Sequence, residues 1–170
     1  MRIRVSANIL FSDFNRERLL LAVGMNRKAR ICISAALEYA HDRHTFGKPL
    51  ISNQIIRHKF TTMARYVESH WAWIEQIGYH AKVNGGAMED LASQIALTKI
   101  HGGRLLELAN REAQQVFGGA GYQRSGVGSD VEQISRDLRM LVVGGGSEEI
   151  LADLSLRQEL LWSKKRGSKL

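Results

Sequence analysis

The chain has 170 residues, 44% of them hydrophobic, enough for one well-cored domain and too little for two or three. Its single cysteine, Cys32, excludes an internal disulfide and a cysteine-based zinc site, and suits a reducing compartment. The +7 charge is scattered and not interleaved with stacking aromatics, which argues against a nucleic-acid binder, and no apolar run is long enough to span a bilayer.

Residues 1–13 read as an extended lead-in. Asn15 then caps a helix reaching about His41, with an inner seam of Leu19, Ala22, Asn26, Ala29, Ile33, Ala36 and Ala40. Steps of three and four with small side chains let a neighbouring helix approach closely. After the only proline, Pro49, a second helix runs from about Ile51 to Asn84 and ends at Gly85-Gly86. Ile56, Phe60, Met63, Val67, Ile74, Ile77 and Ala81 form its apolar face.

A third helix is expected over 89–117, on the seam Leu91, Ile95, Gly102, Leu105, Ala109, Ala113 and Val116. Gly102-Gly103 should cost about 1 kcal/mol each against alanine, so another helix or subunit must come close there. A glycine-rich loop (118–129), a short helix (131–141), the turn Gly144-Gly145-Gly146 and a last helix (147–162) follow. No segment alternates as a strand would. The reading is all-α: an antiparallel up-down four-helix bundle with an extra short helix and glycine-rich turns. Residues 164–170 read as a flexible basic tail ending in Ser168-Lys169-Leu170, a tripeptide that at a C-terminus is a peroxisomal address read by an import receptor.

Two runs carry possible chemistry. Arg43-His44-Thr45-Phe46-Gly47-Lys48 puts a guanidinium at the mouth of a turn, suited to a phosphate or pyrophosphate. Alone, it reads first as an ordinary helix end with its charge near the C-terminal dipole. Gln115-Val116-Phe117-Gly118-Gly119-Ala120-Gly121 follows a helix, so it is neither a dinucleotide fingerprint nor a P-loop. His41 and His44 lack a third partner at helical spacing, so no metal site is expected. His58, His70, His80 and His101 read as surface or polar-seam residues, the tryptophans as packing groups, and Cys32 as inert filling.

With Gln54, Arg136-Asp137 and Gly144-Gly145-Gly146-Ser147-Glu148-Glu149-Ile150, these runs resemble, in order and spacing, the C-terminal helical domain of the acyl-CoA dehydrogenase family, over about 15–158. The resemblance implies a flavoenzyme, with FAD as cofactor, that oxidises an acyl-CoA thioester to the trans-2-enoyl-CoA. It also implies a homotetramer, a dimer of dimers, and upstream helical and β-domains that residues 1–13 would leave behind. By the same resemblance, Arg43, His44, Thr45 and Phe46 lie on the cofactor, Asn53 and Gln54 near its adenosine, and Gln115, Val116, Phe117, Gly118 and Gly119 approach it from a neighbouring subunit. Ser147, Glu148 and Glu149 lie on the flavin or adenosine side.

Most members carry the catalytic glutamate in the turn before the last helix, where this chain has Gly145. A minority carry it on the first helix before an arginine, where this chain has Glu17-Arg18. Glu17 is thus the candidate base, with Asn15, Arg16 and Arg18 near the acyl-CoA; taken alone, Glu17 would be a first-turn acid favoured by the helix dipole. The expected location is peroxisomal, with mitochondrial or cytoplasmic placement as alternatives. The electron acceptor is a protein or oxygen, the latter making the enzyme an oxidase, and a non-catalytic assembly domain is the reading from another class.

Overall fold

The structure, a computed structural model, describes residues 2–86 and 88–167. Its elements are α1 (Arg2–Asp42), β1 (His44–Thr45), β2 (Lys48–Pro49), α2 (Gln54–Val83), α3 (Ala92–Phe117), α4 (Ser129–Val143) and α5 (Glu148–Arg166). Single 3-10 turns precede α2 and α3, and another, Gly118–Tyr122, follows α3. The two-residue strands pair antiparallel around Phe46 and Gly47, both at positive φ.

Residue pairs fix the helix directions. Met25 approaches Gly102, Asn110 donates to the Cys32 sulfur, and Tyr39 packs on Phe117 with ring centroids 4.7 Å apart. Both partners advance together, so α1 and α3 run parallel. Lys59 pairs with Glu112 while His70 meets Thr98, so α2 opposes α3. Asn110 reaches Val131 and Glu107 reaches Arg139; Arg104 reaches Glu148 and Ser93 reaches Ser155. Thus α4 and α5 both oppose α3, one along its C-terminal half and one along its N-terminal half. The expected up-down bundle with an extra short helix is present, its fourth position shared by these two helices.

The seams are close to those expected. Ala22, Asn26, Ala29, Ala36 and Ala40 are buried on α1, as are Met25 and Cys32, whereas Leu19 and Ile33 are only half-buried. On α2 the gap between Val67 and Ile74 is filled by His70, which is fully buried. Asn26 donates its amide to Nδ1 of this ring and to the carbonyl of Val67, and Nε2–H donates to the carbonyl of Thr98. The Asn26 carbonyl is taken by Arg30, so Nδ1 faces a donor and the ring is held neutral. Burial moves its pKa down to about 4.

Two boundaries differ from the sequence reading. Residues 2–13 are not an extended lead-in but the opening of α1. No proline or glycine interrupts the chain before Gly24, and a helix already nucleated gains one hydrogen bond for each residue added. Asn15 therefore caps nothing: it is buried inside α1 and donates to the Met88 carbonyl. Lys164 to Arg166 are not a flexible tail either; α5 includes them and stops at left-handed Gly167, where cations favour the helix C-terminus. Ser168-Lys169-Leu170 lies outside the described residues.

Gly102 is required by close approach. A Cβ there would sit 2.9 Å from His70 Cε1 and 3.2 Å from Met25 Cε, whereas at Gly103 the nearest atom, on Val142, is 3.4 Å away. Gly102→Ala should lose about 1–2 kcal/mol after its gain in helix propensity. Gly103→Ala should be neutral or stabilising by up to about 1 kcal/mol. Urea midpoints of both variants check the contrast.

Candidate functional site

The candidate residues fall into two groups. The first lies at the end of the bundle where α1 and α3 both terminate. Arg43, at the end of α1, is exposed, and its carbonyl accepts from the Leu50 amide at 2.7 Å, which folds the 44–49 hairpin back on the helix. His44, whose Nδ1–H donates to the Asp42 carbonyl, and Phe46 are exposed, and Thr45 is half-buried in the strand pair. Asn53, held by a hydrogen bond to the Leu50 carbonyl, and Gln54 open α2 beside them. Tyr39, Arg43, Phe117 and Val127 line a groove of about 440 Å³, together with the acids Glu38 and Asp42.

The run 115–119 divides. Gln115, Gly118 and Gly119 are exposed, and no atom lies within 4 Å of where a Cβ would stand on either glycine. Their backbone is an open surface that a ligand could approach. Val116 and Phe117 are 4% and 3% exposed and belong to the core. Helical period explains this: Ala109, Ala113, Val116 and Phe117 share the buried face of α3. Their side chains pack in the core, and Phe117 also lines the groove beside Arg43.

The second group lies partway along the bundle. Glu17 and Arg16 are exposed on α1, and Arg18 is half-buried. The Arg18 guanidinium donates from Nε to the Gly145 carbonyl at 2.9 Å and from Nη1 to Asn15 Oδ1 at 3.2 Å. Burial lowers the Arg18 pKa, against the attraction of Glu17. A Cβ on Gly145 would lie 3.0 Å from Leu21 and 3.4 Å from Arg18, so the glycine turn sits directly on this part of α1. Glu17 is also well inside α1, not in its first turn, which removes the dipole explanation for an acid there.

Ser147 precedes α5, and Glu148 and Glu149 open it. Arg104 donates to Glu148 at 2.9 Å and holds that carboxyl below the usual range. Its own backbone amide and the Ser147 hydroxyl do the same for Glu149. Both are poor proton acceptors as placed. Sequence reasoning missed Lys99. It is 1% exposed on α3, and its Nζ donates to the carbonyls of Val142 and, at 2.8 Å, Gly146. The signal was its register: Lys99 falls between Ile95 and Gly102 on the buried seam.

Glu17 and Asp42 are 25 residues apart on one helix, roughly 38 Å at 1.5 Å per residue. The two groups are therefore far apart within one chain. Among the described residues no cluster of His, Cys, Asp or Glu could hold a metal ion, and no helix is long and apolar enough to cross a membrane.

A helical bundle of this kind has known counterparts. Residues 7–160 match the family model "Acyl-CoA dehydrogenase, C-terminal domain". The acyl-CoA dehydrogenase AFT10-1 of Alternaria alternata is 41% identical over 155 residues, covering 89% of this chain and 36% of the relative. The acyl-CoA dehydrogenase apdG of Emericella nidulans is 35% identical over 164 residues, covering 95% and 37%. The solved structure of a probable acyl-CoA dehydrogenase from Mycobacterium abscessus superposes with a TM-score of 0.79 at 31% identity, covering 88% and 38%. The chain belongs to the acyl-CoA dehydrogenase family and constitutes its C-terminal helical domain. It spans little more than a third of the length of these relatives.

The division of the 115–119 run can be tested directly. Phe117→Ala should cost about 3–5 kcal/mol, and Gln115→Ala should stay within about 0.5 kcal/mol. Chemical denaturation of the two variants reads the difference.

Proposed function

We propose that this chain is the C-terminal third of an FAD-dependent acyl-CoA dehydrogenase that removes hydrogen across the α,β bond of an acyl-CoA thioester, and that Glu17 is its base. The observation that carries the reading is the hydrogen bond from Arg18 to the Gly145 carbonyl. It puts the residue after Glu17 against the turn that holds the base in most members of the family. A base lost from the turn is thereby replaced from the helix beneath it.

The residues fit an anionic dinucleotide. Arg43 offers a paired donor to a pyrophosphate at the rim of a groove, and the exposed glycine backbone after α3 leaves room for a close approach. The acids Glu38 and Asp42 at that groove would keep anions to the Arg43 side. Bound FAD would supply the acceptor for the hydride leaving the β-carbon. Glu17 would take the α-proton, its carboxylate made more basic as substrate excludes water. Arg18 and Asn15 would fix the helix segment that aims it.

Distance supports assembly. No single cofactor could touch both groups of one chain, so a second copy would bring its Arg43 end to the first copy's Glu17 end. Composite sites built from two copies would account for this; the proposed assembly is a homotetramer, and acyl-CoA and an electron acceptor are the expected partners.

The test is flavin content and mass in solution of the polypeptide carrying this domain, followed by turnover with an acyl-CoA and a dye acceptor. We expect stoichiometric FAD in a tetramer. Glu17→Gln should keep the flavin and lose at least about 100-fold in kcat. Full activity of Glu17→Gln would sink the assignment of the base, and peroxide release in air would make oxygen the acceptor.

A further inference from the structure

The turn before α5 has three consecutive glycines, and two of them, Gly145 and Gly146, take φ of 71° and 120°. Such a segment has no side chain with which to pin itself and the widest conformational freedom of any tripeptide. It nevertheless forms one wall of the proposed acyl site and sets the entry to α5, whose first residues, Ser147 to Glu149, would face the cofactor. Its own backbone supplies two local hydrogen bonds, Gly144 to Met140 and Gly146 to Val143, and every side-chain tie must come from outside.

Two cations supply such ties, from two different helices. Arg18 of α1 holds the Gly145 carbonyl. Lys99 of α3 spans the turn, with one donor on the last helical carbonyls of α4 at Val142 and another on Gly146. A buried ammonium is costly to place unless its donors are used, and here they are used on the carbonyls of Val142 and Gly146, while the turn's own amides at Gly144 and Gly146 bond back to Met140 and Val143. The charge also lies at the C-terminal end of α4, where the helix dipole favours a cation.

We propose that Lys99 is a positioning residue for dehydrogenation: it locks the Gly144–Gly146 turn so that the wall opposite Glu17 and the start of α5 keep one geometry. This rests on the reading of Glu17 and the turn as two sides of one acyl site. Lys99 touches neither substrate nor cofactor in this scheme. It acts through the carbonyls it holds, with Arg18 alone unable to fix both ends of the turn.

The experiment compares Lys99→Met, which keeps the stem and removes the donors, with Ile77→Val, a buried α2 substitution remote from the turn. Hydrogen exchange is followed at the amides of Gly144, Gly146 and Leu151, which bond to Met140, Val143 and Ser147. In Lys99→Met these amides should exchange at least tenfold faster than the rest of the bundle. In Ile77→Val any change should be spread over α2 and α3. In the complete polypeptide, Lys99→Met should lose tenfold or more in kcat with KM within twofold, and Ile77→Val should keep its kcat.

Unchanged exchange at the turn, or full kcat in a folded Lys99→Met protein, overturns the proposal. If the methionine variant does not fold, Lys99→Gln, whose shorter, neutral amide replaces the ammonium, is read by the same two measures. Glu17→Gln run in parallel separates the failures. An inactive Glu17→Gln with a fully active Lys99→Met rejects the positioning role alone. An active Glu17→Gln with an impaired Lys99→Met rejects the base and leaves the turn's role standing.

Discussion

Everything in this domain depends on how closely α1 and α3 pack. Ala22, Ala29, Ala36 and Ala40 on one helix, and Gly102, Ala109 and Ala113 on the other, keep much of the surface between the axes small, with Met25, Cys32 and Asn110 fitted among them. Where α3 has no Cβ at all, Met25 and the His70 ring move into the space. The pair runs parallel, so its helix dipoles are aligned unfavourably, while α2, α4 and α5 oppose α3 and offset that alignment. The result is a stiff rod with its two ends far apart, and the candidate residues sit in two places along it.

That separation shapes the function. At one end, a cation, a two-residue hairpin and an exposed glycine backbone surround a groove. Further along, Arg18 on α1, next to the exposed acid Glu17, meets a turn made only of glycines. Neither group is complete as a site. Together, in two copies of the chain related by symmetry, they would be, and this links the stiffness of the α1–α3 pair to assembly. On the proposed reading, the buried Lys99 would keep the turn beside Glu17 in one geometry.

Much of this was legible in the sequence, through period and through order of motifs. The α2 and α3 seams follow from apolar spacing, and Gly102-Gly103 announced a close contact because two mid-helix glycines are otherwise a pure cost. The misses have local causes. Lys99 and His70 occupy seam positions, but a polar residue there reads as an interruption until its partners, all distant in sequence, are known. The start of α1 was placed at Asn15 because asparagine is a common cap; its actual partner, the Met88 carbonyl, lies 73 positions away. The inward packing of Val116 and Phe117 is legible in their spacing from Ala109 and Ala113.

The most direct measurement of the composite site is complementation between two inactive variants of the complete polypeptide, Glu17→Gln and Arg43→Glu. Each removes a different group, so each homo-oligomer should be inactive. If one chain's Glu17 end works with the other's Arg43 end, random mixing in two-fold pairs rebuilds intact sites and returns about a quarter of the wild-type activity. If mixed oligomers form and no activity returns, both groups serve within one chain and the composite account is wrong.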